Sequence, residues 1–457
     1  MSDPYSHSLA AVFESTPTLR AIFGDQVRIQ RMLDVESALA QVQAQLGVIP
    51  AKAVDAICAA CKAQAIDVAA LATAAVAAGN HAIPLVKQLT ALVAKSDADA
   101  AKYVHWGATS QDIIDTGLIL QLRDALTHIE HDLQQLGDLL AHFAEQHQAT
   151  PMAGRTWMQQ ALPITLGMKA VTWLDALQRH RTRIVEMKPR LLVLQFGGAA
   201  GTLASLGDSG LELAQALATE LDLTLPALPW HATRDRVVEL ATVLAAITGS
   251  LGKMACDISL LAQTEIAELA EPHALGRGGS SAMPHKRNPV ACAIVLTAAT
   301  RMPGLAATML SAMPQENERA LGGWQAEWEC LPQIVQLCGA ALEQMLYAIA
   351  GLQVDAARMR ANLDLTDGLI MAEAVMLKLA QTLGRPVAYD LVEQACQQTV
   401  TEKRHLREVL AARADVTAIV SAGELEALFD PLSYIGQAKI FVERAVQTWR
   451  ANAGEHV

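Results

Sequence analysis

The chain has 457 residues, more than one hydrophobic core usually serves, and a formal net charge of -12. That acidic balance argues against non-specific nucleic-acid binding and against an anionic membrane surface, so an anionic substrate would need a locally basic pocket. Hydrophobic residues make up 52% of the sequence and aromatics only 4%; the apolar content is mostly Ala and Leu, which favours closely packed helices over sheets.

The 1–20 stretch lacks the basic start and apolar run of a signal peptide, and no uncharged apolar stretch of about 18 residues suggests a membrane span. The seven scattered cysteines fit a reduced, cytoplasmic protein. Cys58 and Cys61 have redox-motif spacing, but in an Ala-rich helical stretch they read as buried thiols, and no second pair completes a four-thiolate metal site.

In chain order, Ile29, Met32, Leu33, Leu39, Val42 and Leu46 recur at helical spacing, closed by Gly47 and Pro50. Helices follow at 54–77 and 84–94, and residues 1–104 read as a small helical domain. The 113–147 run, Leu-rich and free of proline, predicts a long helix; Pro151, Gly154 and Pro163 interrupt the chain before a second long run ending near Pro189. Residues 191–196 are strand-like and lead into Gly197, Gly198 and Gly201, without the spacing of a dinucleotide site; a glycine-rich connection whose backbone lines the site is the better reading. The 233–271 segment predicts one helix of about 58 Å, too long for one compact domain to cover. With runs at 290–312 and 334–349, bounded by Pro332 and Gly351, it implies an elongated bundle continued across subunits. Shorter helices return at 369–383, 388–398, 405–412 and 435–451. The fold class is all-α, in three domains at 1–104, 105–362 and 363–457.

The strongest chemical signal is Gly279-Ser280-Ser281-Ala282-Met283-Pro284-His285-Lys286-Arg287-Asn288-Pro289, preceded by Gly276 and Gly278. Its glycines give mobility, and Lys286 and Asn288 offer a cation and an amide two residues apart, so the loop can close over an anion and expel water. Composition alone would equally allow a polar connection after a long helix.

This loop resembles the signature of the fumarase/aspartase superfamily, which includes adenylosuccinate and argininosuccinate lyases. Two further regions of that superfamily follow the expected order: His105-Trp106-Gly107-Ala108-Thr109-Ser110-Gln111-Asp112 and Gly154-Arg155-Thr156-Trp157-Met158-Gln159. The Arg155 to Gln159 run and Glu318-Arg319-Ala320-Leu321-Gly322-Gly323-Trp324 are similar to the branch of bacterial 3-carboxy-cis,cis-muconate cycloisomerases of protocatechuate breakdown by the β-ketoadipate pathway. The resemblance implies an all-helical homotetramer of three-domain subunits whose active sites each draw on three subunits, a small tricarboxylate substrate, and neither metal nor organic cofactor. It assigns proton transfer to Ser280 and substrate carboxylates to Lys286, Asn288, Thr109 and Ser110, with His105 and Gln159 on the substrate side and Thr156 and Trp157 beside them. Arg155 either raises the pocket potential, as Lys102 would, or anchors a helix end. Arg319 either meets an extra substrate carboxylate or pairs with Glu316 or Glu318. His81 reads as a surface or structural histidine, and Trp324 and Trp328, one turn apart, as helix packing.

Two positions depart from the lyases, whose second region carries a histidine paired with a glutamate five residues after the loop asparagine. Here Trp157 and Ala293 stand there. Lactone formation by a tethered carboxylate explains the loss, because a carboxylate nucleophile needs no base and leaves without an acid. The alternatives are adenylosuccinate lyase or a related succinate- or fumarate-forming lyase, and a non-catalytic helical scaffold.

Overall fold

The computed structural model describes residues 13–453; the twelve residues that open the 1–20 stretch lie outside them. The protein is predominantly α-helical, and Ser110–Gln146, Leu166–Leu191, Asp235–Leu261, Val290–Ser311 and Gly323–Ala350 supply a long central helical bundle. Packing divides the chain into two compact units. One comprises the chain up to Asp132 with His180–Leu251 and Ile294–Glu343; the other comprises Leu133–Arg179, Gly252–Ala293 and Gln344–Val457.

In the first unit, the Asp25–Gln45 helix buries Ile29, Met32, Leu33, Val35, Leu39 and Val42. The helix expected at 54–77 is instead two, Val54–Ala60 and Val68–Ala78, with a 3-10 turn between. Gln30 causes the break: its side chain donates to the Cys61 carbonyl at 3.1 Å and accepts from the Ala63 N–H at 2.9 Å, taking over backbone groups that a continuous helix would pair. Cys58 therefore sits in the first helix and buried Cys61 just past its end. Burial, with Glu36 adding to it, raises the Cys61 thiol above its ordinary range.

The centre of this unit is ionic. Arg234, fully buried, donates to Asp115 and to Glu327 at 2.6 Å each, with the Trp230 ring against its guanidinium at 4.7 Å. Asp115 also accepts from the Trp324 indole N–H at 2.9 Å. Leu191 closes the Leu166–Leu191 helix, and residues 192–196, expected to be strand-like, belong to no sheet and meet Thr224 through a single bridge at Val193. Pro332, expected to mark a break, lies inside Gly323–Ala350. Its missing N–H forfeits one hydrogen bond, whereas Leu331, Ile334, Val335, Leu337, Cys338, Ala341 and Leu342 are all buried around it, and that burial carries the helix through.

The second unit corrects two expectations. Pro151, Gly154 and Pro163 do not merely interrupt helices; Pro151–Thr156 and Gln159–Thr165 form an antiparallel hairpin. A Cβ at Gly154 would lie 2.9 Å from the Leu162 carbonyl oxygen, at the register shift between Ala153 and Arg155, so glycine is required there. The helix expected over 233–271 ends at Leu261, a length of about 40 Å. Glu268 accounts for this. Its carboxylate is drawn to Arg155 and Asn362, its backbone N–H returns to the Leu261 carbonyl, and Ala267 takes a left-handed φ of 50°. Leu269–Ala270 then pairs with Gln353–Val354. Val375, Leu379, Leu391, Val392, Ala395, Leu406, Val409 and Leu410 form a separate C-terminal core.

Asp235–Leu261 and Val290–Ser311 are long and apolar enough to cross a membrane by length and composition alone, a test that core helices also pass. The most apolar window of the first is 61% buried within the fold and that of the second only 28%, so Val290–Ser311 carries an apolar face that the single chain leaves open.

The C-terminal helix Ala438–Ala453 is seated by Trp449, whose indole donates to Asp138 at 2.8 Å and lies where a Cβ at Gly137 would fall, 1.9 Å from the ring. Gly137→Val must displace that ring, and we expect a loss of about 2 kcal/mol, read as a lowered Tm; an unchanged melt would show that the indole is not seated there.

Candidate active site

The Asp25–Gln45 helix grips the start of the first motif at two points. The Glu36 carboxylate meets His105 Nδ1 at 2.5 Å, and the Gln43 side-chain amide donates to the Trp106 carbonyl at 2.6 Å. Between these contacts the backbone turns left-handed, with φ of 59° at His105 and 79° at Gly107. Burial alone would lower the His105 pKa, but the Glu36 carboxylate, helped by Asp112, outweighs it and raises the imidazole above its ordinary range.

Ser110 opens the Ser110–Gln146 helix, and Asp112 accepts from the Thr109 N–H at 3.0 Å. Asp112 also accepts from the Gly197 and Gly198 N–H groups at 3.0 Å each and from His231 Nε2 at 2.7 Å. The glycine-rich connection thus presents backbone donors to this acid, not to a nucleotide. Arg319 pairs with neither Glu316 nor Glu318. Its guanidinium donates to the Thr109 hydroxyl at 3.0 Å, the Gln111 amide oxygen at 3.1 Å and the Ala199 carbonyl at 3.1 Å, all neutral acceptors, so its positive charge is not cancelled. Thr109 and Arg319 therefore stand together. Trp324 and Trp328 pack edge to face at 4.9 Å, and His81 packs on Trp328 at the same distance. Burial, with Arg28 beside it, pushes the His81 imidazole down to about 4, which keeps it neutral.

In the second unit, Thr156, Trp157, Met158 and Gln159 form the exposed tip of the hairpin. Both residues of its two-residue turn have positive φ, 52° at Trp157 and 65° at Met158, an arrangement that normally selects Asn and Gly. The Trp157 side chain is 97% exposed. Arg155 is spent below the tip, donating to the Ala153 carbonyl at 3.2 Å and to both Glu268 oxygens at 3.0 and 2.6 Å. Lys102, by contrast, pairs with Asp99 on the surface at 2.6 Å.

The signature loop closes on itself through a bridge between Gly279 and Arg287 and a 2.8 Å bond from the Asn288 N–H to the Gly278 carbonyl. Gly278, at φ 70°, leaves only 2.7 Å between a Cβ and the Asn288 carbonyl oxygen. At its root Arg277 lies over the Tyr347 ring at 3.9 Å and donates to Gln344 at 2.5 Å. At its far end the Glu271 carboxylate accepts from the Ala291 and Cys292 N–H groups at 3.0 and 2.8 Å, capping Val290–Ser311. Within the loop, Ser280 Oγ accepts from the Ala282 N–H at 3.3 Å and the Met283 N–H at 3.1 Å. These are the donors that an alkoxide at Ser280 requires. Lys286 is exposed and forms no ion pair with the described residues.

Glu36, Asp112 and His231 were not singled out from sequence. Asp112 lies inside the quoted motif, but Glu36 and His231 carry no local signal, since each is recruited from at least 69 residues away in the chain.

Residues 11–304 match the family model described as Lyase, and residues 368–445 match Adenylosuccinate lyase C-terminus. The chain is 55% identical to the 3-carboxy-cis,cis-muconate cycloisomerase of Pseudomonas aeruginosa, covering 98% of this chain and 97% of that protein. The chain belongs to the 3-carboxy-cis,cis-muconate cycloisomerase family of the fumarase/aspartase superfamily. The crystal structure of the Pseudomonas putida 3-carboxy-cis,cis-muconate lactonizing enzyme superposes with a TM-score of 0.94 at 54% identity, covering 97% of this chain and 99% of that one. A nitrosuccinate lyase of Streptomyces davaonensis is 42% identical, covering 98% and 97% of the two chains.

Glu268 is fully buried and Arg155 is its only cationic partner within 4 Å among the described residues. Arg155→Met should therefore cost about 3 kcal/mol or more of stability. The double variant Arg155→Met, Glu268→Met should recover most of it in a thermal melt together with activity. A double variant that is stable yet inactive would instead put Arg155 on the substrate.

Proposed function

We propose that this protein is an intramolecular lyase that converts 3-carboxy-cis,cis-muconate into 4-carboxymuconolactone in protocatechuate degradation by the β-ketoadipate pathway. One substrate carboxylate oxygen forms the new C–O bond at an alkene carbon. The displaced electron pair moves to the carbon beside another carboxylate, whose oxygens take up the developing charge. A proton then reaches that carbon from the Ser280 hydroxyl, and solvent later reprotonates the serine. No atom is lost, and neither metal nor organic cofactor is called for.

The observation that carries this reading is the pair of backbone N–H groups aimed at Ser280 Oγ in the loop that bears unpaired Lys286. Those dipoles stabilise the alkoxide left after proton delivery, and Lys286 and Asn288 hold the carboxylate on which charge develops. Thr109, Ser110, His105 and Arg319 take the remaining carboxylates, while Thr156 and Gln159 flank Trp157, whose indole enforces the folded diene and excludes water. Arg155 acts through Glu268 by setting the hairpin. In an acidic chain these cations make the local basic pocket that a tricarboxylate needs.

The complete site is assembled in a homotetramer from residues of three subunits. The half-open Val290–Ser311 helix supports this, because Thr300, Gly304, Ala307 and Ser311 give it an exposed edge of small residues that admits a close neighbour. A cytoplasmic enzyme acting without nucleic-acid or membrane partners fits the acidic charge.

The test is spectrophotometric: purified protein should consume 3-carboxy-cis,cis-muconate and leave adenylosuccinate untouched, and the reverse would overturn the reading. Ser280→Ala should fold normally and lose at least about 1000-fold in turnover, and Lys286→Met about 100-fold. Near-normal rates in either folded variant would remove that residue from the chemistry. Sedimentation of the active enzyme should give four times the chain mass; full activity in a monomer would sink the shared site.

A further inference from the structure

Glu36 lies on a helix face made otherwise of Ile29, Met32, Leu33, Val35 and Leu39, and is 2% exposed. A carboxylate is costly in such surroundings without a partner, and its hydrogen-bond partner among the described residues is His105 Nδ1 at 2.5 Å. Seven residues on, two turns along the same face, Gln43 holds the Trp106 carbonyl. One helix thus pins two successive residues at the point where the backbone is forced left-handed, at His105 and again at Gly107, where a Cβ would lie 2.5 Å from Leu206. A non-glycine residue held in that conformation is strained, and such strain persists only where neighbouring contacts impose it. With Nδ1 committed, Nε2 is the ring nitrogen left over, and it has no bond to any described residue. Four and five residues later come Thr109 and Ser110.

We propose that Glu36 is a positioning residue: by holding Nδ1 it orients His105 so that Nε2 faces and grips a carboxylate of the substrate. This deepens the muconate reading and rests on it. The histidine–glutamate pair of the lyases is replaced here by Trp157 and Ala293, and a different histidine–glutamate pair serves to bind substrate charge. The groups that face the imidazole agree with this role. Glu36 comes from the Asp25–Gln45 helix and Asp112 from the Ser110–Gln146 helix, the latter bonded to His231, Gly197 and Gly198. Arg319 donates to the hydroxyl of Thr109, four residues along the same motif. The Cys61 thiol, raised by burial and by Glu36, stays neutral and adds no competing charge.

The sign follows from the raised imidazole. Carboxylate binding is complete below the His105 pKa and is lost as pH rises through it. Removing Glu36 moves that loss to lower pH, because burial then pulls the imidazole down with less to oppose it.

The test is calorimetric binding of tricarballylate, an unreactive saturated tricarboxylate, to the intact assembled enzyme between about pH 6 and pH 8.5. Glu36→Gln should weaken binding roughly tenfold near pH 8 and less than about threefold near pH 6, with KM for 3-carboxymuconate rising more than kcat falls. Glu36→Asp should restore the original pH profile, and Glu36→Gln should add nothing in a His105→Gln background. An unchanged pH profile in a folded Glu36→Gln enzyme, or losses that multiply in the double variant, would overturn the proposal. If Glu36→Gln fails to assemble, His105→Gln decides, because it must itself abolish the pH dependence. Failure of the wild type to lactonise 3-carboxymuconate would instead strike the function while leaving the tricarballylate titration readable.

Discussion

Arg234 has no access to water and two carboxylates to satisfy it, and the placement of the first unit's chemistry descends from that arrangement. A guanidinium offers donors in a fixed fork, so Asp115 and Glu327 can be held only in set directions, which fixes the azimuth of the two helices that carry them. Asp115 spends its remaining capacity on Trp324 and on the amide of Gln111. Gln111 then presents its oxygen to Arg319, and Arg319 in turn holds the Thr109 hydroxyl. A buried ion cluster contributes little net stability over an apolar one, but it leaves few alternative packings, and here it specifies geometry out to Arg319 and Thr109.

What the sequence made legible follows from the range of the forces involved. The long helices could be read because burial repeats every three to four residues. The loop could be read because Ser280, Lys286 and Asn288 lie within one stretch of nine residues. Other features depend on distant partners. The end of the Asp235–Leu261 helix is decided by Glu268, whose partners Arg155 and Asn362 lie 113 and 94 residues away. The gap between the helices at 54–78 is decided by Gln30, and the pairing of His105 by Glu36, an acid that looks misplaced in an apolar pattern until its partner is known. The hairpin was hidden for another reason. Its prolines resemble helix breakers, and its turn carries Trp and Met where the local code calls for Asn and Gly.

That turn belongs to a small set of residues held against their preference. Trp157, Met158 and His105 are all left-handed without being glycine, at roughly 1 kcal/mol each, and all three fall within the motif regions. Among the described residues, Leu203, Asp222, Ala267, Asn317, Asp367 and Lys403 are left-handed too, outside those regions, while helix starts and tight turns follow local rules. Asp67, Asp355 and Ser421 cap helices, and glycine occupies the tight positions at 154 and 278.

The hairpin tip also has a bearing on how such enzymes diverge. Because the Trp157 side chain contributes nothing to the folded core of its own chain, and Arg155 and Glu268 fasten the strand beneath it independently, the tip can be rewritten without renegotiating the rest of the molecule. A scaffold that carries an exposed side chain on a turn fastened from below can change that side chain at nearly constant stability, and lineages built on it should vary the tip more readily than they change shape.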